Sequence, residues 1–321
     1  MSARTIKIGT SGWSYPSGNG TWNGIFYPPK GRQFRSSGFD ELSYYAEHFE
    51  TVEINSTFYR VPTPQVTAQW AERTPNGFEF SLKLYQKFTH PRMFGNASHS
   101  TDTDVTGSDV DLVRRSLVPL QDAGKLGVLL AQFPPSFKNE PSTRDYVSWL
   151  ISAFAEVPVA IEVRHRSWSD DVGETLSLLN ELGAAWVQID EPKFRFSIAQ
   201  NHLPNVGSLY YMRLHGRNAE SWWRHDAAED RYNYHYSEVE LKPFSETVDA
   251  ASRVVKKLYV FMNNHFAAKA VANAVVLKHT LGLPVRGEYP QAFIARYPEV
   301  AGIVTPATRH SLLDSPAGMT E

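Results

Sequence analysis

From one end to the other, the chain alternates short apolar runs with stretches whose apolar residues recur at helical spacing. Eight runs carry the alternation of a strand, in which successive side chains point to opposite faces. They are "IKIGT" from Ile6, "TVEIN" from Thr51, "FEFSLKL" from Phe78 and "LGVLLAQF" from Leu126. "VAIEVRH" from Val159, "AAWVQID" from Ala184, "LYYMRLHG" from Leu209 and "KLYVFMNNH" from Lys257 complete the set. Helices are predicted over Phe39–Phe49, Pro64–Arg73, Ser142–Glu156, Asp171–Leu182, Pro243–Lys256 and Phe266–Leu281, several opening after Ser, Thr or Asp caps.

Such alternation implies parallel strands joined by right-handed crossovers. Eight units in roughly 250–300 residues is the size of a closed (β/α)8 barrel of the TIM type; an open doubly wound sheet is the competing arrangement. No Gly/Ser linker or break in composition divides the chain, so residues 1–321 read as one domain. Two connections look over-long for a compact domain: Pro91–Val110 after the third strand, and Gly216–Leu241, with "SWWRHDAAEDRYNYHY", after the seventh. Glu191–Gly207 offers no helix, so the sixth crossover is expected to be irregular.

"VEINSTFYRVP" (Val52–Pro62) then poses a question, because Glu53, Asn55 and Thr57 alternate with residues of a buried face. In a barrel the second face looks into the lumen. The same parity places Lys83, Glu162, Arg164, Asp190, Arg213 and His215 on that face, late in their strands, with Gln132 and Asn263 alike. The C-terminal ends of barrel strands are where active sites are built. Glu162, Asp190 and His215, supported by Glu53, are therefore the candidate proton-transfer or metal-binding groups. Lys83, Arg164 and Arg213 would hold an anion, and Asn55, Gln132 and Asn263 would add polar contacts. Trp13, Tyr15, Tyr59 and Trp168 are candidates to stack on a ligand ring, and Phe58, Trp222 and Trp223 crowd the same rim. A network that merely neutralises its own charges is the structural alternative. His265 is a weaker candidate than His215, and His165 falls on the opposite parity from Glu162.

Composition narrows the chemistry. The chain is 42% hydrophobic and 21% charged, as expected of a large folded core. Lys+Arg number 32 against 34 Asp+Glu, so no excess positive charge points to nucleic acid. Cysteine is absent, which excludes thiolate nucleophiles, iron–sulfur clusters and cysteine-bound zinc. No nicotinamide, flavin or haem signature is visible, and no compact metal motif, although scattered Glu, Asp and His leave room for a divalent metal. "GTSGWSYP" from Gly9 lacks the spacing of a phosphate loop and of a nucleophile elbow. No leader precedes "TIKIGTSGW" and no apolar run reaches membrane-spanning length, so a cytoplasmic protein is expected.

"IGTSGWSY", "WNGIFYP", "LSYYAEHFETVEINSTFYRVP", "FEFSLKLYQKFTH", "GVLLAQFPPSF", "AIEVRHRSW", "YMRLHGR" and "NNHFAAKAVANA" resemble the YecE-like family, bacterial and archaeal proteins of unknown function. The resemblance runs from about Lys7 to Leu281, leaving 282–321 as a C-terminal extension expected to pack on the barrel or to be partly mobile. It implies a TIM-type barrel but no settled reaction. Its characteristic positions include those matched by Trp13, Glu53, Asn55, Tyr59, Lys83, Gln132, Glu162, Arg164, Arg213, His215 and Asn263. The chain departs at Met262, where an aromatic is usual, and at Ala267–Ala268, which replace a glycine-containing turn; "SGNGT" looks inserted. The expected function is an enzyme of hydrolase or isomerase type acting on a small anionic sugar, phosphosugar or nucleotide-like substrate. The rival is a non-catalytic module for a nucleotide or single-stranded nucleic acid, using the same cations and rings.

Overall fold

The computed structural model describes residues 5–29, 38–99, 101–200, 205–223 and 228–308. Its strands are β1 (Thr5–Thr10), β2 (Thr51–Ile54), β3 (Glu79–Lys83), β4 (Leu126–Gln132) and β5 (Val159–Glu162), then β6 (Ala185–Trp186), β7 (Gln188–Asp190), β8 (Leu209–Leu214) and β9 (Lys257–Met262). These pair in parallel in two sheets ordered β2-β3-β4-β5-β6 and β1-β9-β8-β7, and a separate short parallel pair joins β10 (Glu288–Tyr289) to β11 (Thr305–Pro306). The chain is therefore an α/β protein with parallel sheets.

The two sheets meet along two seams. At one, the sixth apolar run passes from sheet to sheet: β6 pairs with β5, β7 pairs with β8, and Val187 between them donates its N–H to the Ile161 carbonyl at 2.9 Å. At the other, the Gly12 N–H donates to the Glu53 carbonyl at 2.7 Å, beside a parallel bridge from Ser11 to Glu53. Gly9 permits the close approach of β1 and β2, since a Cβ there would lie 2.2 Å from the Thr51 carbonyl oxygen. All eight expected strands are present with the sixth divided, and the ladders stop short of one uninterrupted sheet. The reason is strand length: β2 has four residues and β6 two, too few to carry a ladder past each seam.

Helices cover the outward faces. The helix Pro64–Glu72 buries Trp70, whose ring stacks on Phe80 at 6.1 Å, and Val52, Phe80, Leu82, Leu129 and Ile161 are almost fully buried. Each such side chain contributes about 1.5–3 kcal/mol when fully removed from water. The inner faces are mixed. Near the N-terminal strand ends Glu79 accepts from Lys257 at 2.9 Å and from the Tyr259 hydroxyl, with Lys7 3.4 Å away. Gly127 leaves space here, for a Cβ would come within 3.1 Å of the Tyr259 hydroxyl.

Three expectations are corrected. Pro91–Val110 is not all loop: it holds the helix Pro91–Ser98 and the start of Gly107–Asp122, where Thr106 and Asp109 form a capping box, while residue 100 lies outside the described part. The helix expected from Pro243 begins at Glu238, because Ser237 caps it with Glu240, and Pro243 lies inside. Gly216–Leu241 carries short helical turns at Glu220–Trp223 and Ala228–Tyr232, while residues 224–227 and the Trp223 side chain fall outside the described part. Glu191–Gly207 contains no helix among its described residues. In the C-terminal extension Tyr289, Phe293 and Tyr297 are buried, with Tyr289 edge-on to His48 at 4.6 Å and Phe293 5.9 Å from Phe26; residues 309–321 lie outside the described part.

Candidate functional site

Arg213 is the centre of the polar network on the inner faces. It enters from β8 and is 1% exposed. Its Nε and one terminal nitrogen donate to both oxygens of Glu53 on β2, at 2.8 and 2.6 Å. The other terminal nitrogen donates to Glu162 on β5 at 2.6 Å and approaches Gln132 on β4 at 3.4 Å. One guanidinium thus ties the four-stranded sheet to the five-stranded one. Ser11 and Tyr211 donate their hydroxyls to Glu53 at 2.7 and 2.8 Å, so its carboxylate is fully satisfied. Arg164, two residues after Glu162, donates Nε and a terminal nitrogen to the other Glu162 oxygen at 2.8 and 2.6 Å. Burial alone would raise the Glu162 pKa, but the guanidiniums of Arg213 and Arg164 overcome it and hold the group far below the usual carboxylate range.

His215 sits beside this pair. Its Nε2 lies 3.3 Å from Arg164, 3.4 Å from Arg213 and 3.7 Å from Glu162. Burial, then the Arg213 and Arg164 charges, push its pKa well down, so the ring is neutral. Guanidinium nitrogens only donate, so Nε2 accepts and Nδ1 carries the proton. The side-chain amide of Asn263 lies 2.7 Å from Nδ1 and must turn its oxygen toward it. The Asn263 amide nitrogen then faces Asn55, whose side chain must turn as well to present its oxygen, which lacks a partner in the present orientation. Trp222, 5% exposed, covers His215 edge-on at 6.4 Å.

Lys83 ends β3 beside the same network. It is partly buried, with Nζ 4.1 Å over the Phe58 ring, and no carboxylate lies within 4 Å of it among the described residues. Burial first, then the Arg213 charge, lower its pKa to about 7. His90 meets Phe58 edge-on at 5.0 Å and is lowered to about 4 by burial, then by Lys83 and Arg164.

The structure thus brings together Glu53, Gln132, Glu162, Arg164, Arg213, His215, Asn55 and Asn263, with Lys83 beside them. It does not bring Asp190. That carboxylate is taken by Arg217, at 2.8 and 3.0 Å, and by the Tyr236 hydroxyl at 2.7 Å. The parity argument failed here because the strand is interrupted at Val187; the next residue, Glu191, instead reaches Arg164 at 3.1 Å. Burial raises the Glu191 pKa, although Arg164 opposes it. The aromatic candidates divide. Trp168 is buried, stacked on Phe137 at 5.8 Å with its indole N–H bonded to the Phe137 carbonyl, and cannot meet a ligand. Tyr15 is committed to His265, stacked at 4.1 Å, and Trp13 packs edge-on against Trp70 at 5.8 Å. Tyr59 is 62% exposed. His165 bonds Ser167, away from Glu162.

Sequence reasoning also missed Arg231, His90 and Tyr232. Arg231 lies 5.8 Å from the Trp222 ring with its buried Nε unpartnered among the described residues, and Tyr232 packs on His265 at 4.8 Å. "EDRYNY" lies in an irregular segment where parity says nothing, whereas "DE" at 190–191 was a readable signal. The donor set does not suit a metal. Among the described residues no three His, Asp or Glu side chains converge, and guanidiniums occupy Glu53 and Glu162.

A family model described as "Protein of unknown function DUF72" matches residues 7–293. The UPF0759 protein YunF of Bacillus subtilis is 28% identical over 297 residues, 89% of this chain and 98% of that protein. The UPF0759 protein YecE of Escherichia coli K12 is 27% identical over 163 residues, covering 50% of this chain and 48% of YecE. A solved DUF72 family protein from Thermotoga maritima superposes with a TM-score of 0.71 at 32% identity, over 87% of this chain and all of that one. No helix among the described residues is long and apolar enough to cross a membrane.

Proposed function

The chain belongs to the DUF72 family of proteins of unknown function, and from that premise we propose that it is an enzyme acting by acid–base chemistry on a small anionic, sugar- or phosphosugar-like substrate. The two seams are read as closing the strands into a (β/α)8 barrel of the TIM type, one domain, with the substrate at the C-terminal mouth. One observation carries the reading. The inner arginines are neutralised by Glu53 and Glu162, but Lys83 and Arg231 stand without a carboxylate partner among the described residues. Cations left over at a mouth call for an anion from outside. In this reading Glu53 and Glu162 position Arg213 and Arg164, while His215, Glu191 and Lys83, whose proton affinities are displaced, serve proton transfer. Reactions that move protons, hydrolysis or isomerisation, fit such a set.

Calorimetry with inorganic phosphate and ribose 5-phosphate tests the proposal. An arriving anion favours protonated Lys83 and lifts its pKa from about 7. At pH 8 binding should therefore take up protons, seen as an enthalpy that varies with the buffer's ionisation heat. Lys83→Met should abolish the uptake, and Arg231→Gln should weaken binding about tenfold, or about 1.4 kcal/mol. Absence of millimolar binding would end the reading. The exposed Tyr59 favours a second reading, a nucleotide or single-stranded nucleic-acid module, in which oligonucleotide binding falls steeply with salt and with Tyr59→Ala.

A further inference from the structure

We propose that Lys83 is a nucleophilic amine that forms an imine with the carbonyl group of an anionic substrate. The inference rests on the anion-binding reading above and narrows its substrate class to phosphorylated or carboxylated aldehydes and ketones. The four buried lysines among the described residues show what is unusual about this partly buried one. Lys7 donates to the Gly77 carbonyl, Lys87 to Asp109 at 2.9 Å, Lys125 to the Ala71 and Thr74 carbonyls, and Lys278 to Glu50 at 3.0 Å. Each ammonium is anchored by oxygen. Among the described residues the Lys83 nitrogen has no such anchor, only the face of Phe58. A cation over a ring gains about 0.5–2 kcal/mol, little against the cost of keeping an ammonium out of water.

The surroundings push the same way. Arg213 and Arg164 disfavour a charge on Lys83, Glu162 and Glu53 favour it, and burial exceeds them all. The carboxylates cannot do more, because both are already bound to guanidinium nitrogens. The amine therefore titrates at about 7, so about half is neutral at pH 7, against roughly one part in 2,500 for an ordinary lysine near pKa 10.4. Desolvation beside another cation is the known way of making a lysine nucleophilic. His90 shares Phe58 with Lys83 and is neutral at that pH, so it is available to relay a proton.

The step balances without a further reagent. Neutral Nζ adds to the carbonyl carbon, the C=O π bond breaks, and one proton passes from the nitrogen to the former carbonyl oxygen to give a neutral carbinolamine. The carbinolamine loses one water, and the product is an imine that takes up a proton to become cationic. That cation draws electrons from the adjacent carbon, which is what isomerisation or carbon–carbon cleavage needs.

Trapping on the full-length wild-type chain tests the proposal and needs no variant. Pyridoxal 5′-phosphate, an aldehyde bearing a phosphate, is the probe; sodium borohydride fixes any imine, and peptide mass spectrometry locates it. At pH 7 we expect a single pyridoxyl group on Lys83, formed at least tenfold faster than with pyridoxal lacking phosphate, and slowed by inorganic phosphate. Lys83→Arg should lose the label and keep phosphate binding. Label spread over other lysines with Lys83 unmodified, while calorimetry still detects phosphate, would overturn the imine and leave the anion site standing. Label on Lys83 that phosphate neither slows nor binds beside would keep the amine and overturn the anion site.

Discussion

Arg213 makes three short charge-assisted bonds with one side chain, reaching Glu53 twice and Glu162 once. Bonds to charged groups are worth about 1.5–3 kcal/mol each, and leaving a buried charge without its partner costs about 3–5 kcal/mol. The acid limb of the stability curve should report this arrangement. Glu162 has a folded pKa below its unfolded value near 4.5, so the unfolded chain binds its proton more readily. Its stabilisation is complete above about pH 4.5 and drains away as pH falls toward the folded value. In urea titrations between pH 5 and 2, Glu162→Gln should flatten that decline; an unchanged slope would mean that other carboxylates govern acid unfolding.

Strand parity was legible wherever a strand ran unbroken. Glu53, Lys83, Glu162 and Arg213 each follow the alternation of their own run, and the physical cause is simple: successive side chains cannot share a face. It failed at the one run that changes sheets, where Val187 breaks the alternation and Glu191 takes the place expected of Asp190. Capping was under-read for a related reason: Ser, Thr and Asp serve loops and helix starts alike, so Thr106–Asp109 looked like loop. The turn after β9 offers an element-scale test. Ala267 and Ala268, where the resemblance implied a glycine-containing turn, adopt φ of 52° and 65°. A Cβ in the left-handed region costs roughly 1–2 kcal/mol. Ala267→Gly should therefore raise stability by about 1 kcal/mol, read as a higher urea midpoint at constant m-value; a lower midpoint would show that the buried methyl contributes more than its strain.

At the scale of the molecule, the sequence predicted parallel α/β architecture and the eight strand-forming runs, though not the division of the sixth or the short C-terminal pair, because apolar periodicity is a local property. It could not give the seams, which depend on which edges happen to meet, nor the partners of irregular segments such as that holding Arg231. The extension beyond Leu281 is part of the packing: Tyr289 and Phe293 close over Phe26 and His48. Truncation after Pro284 should expose that aromatic cluster and lower the melting temperature by several degrees, with dye binding to the uncovered surface; unchanged melting would make the extension dispensable. The bridging guanidinium has a further consequence for how the chain comes to be. Glu53 leaves the ribosome long before residue 213, and until that residue follows it lacks the guanidinium that takes both its oxygens, while Glu162 has only Arg164. A nascent fragment holding only the earlier strands must keep the Glu53 carboxylate wet, so the inner layer can set only when synthesis has gone about two-thirds of its course.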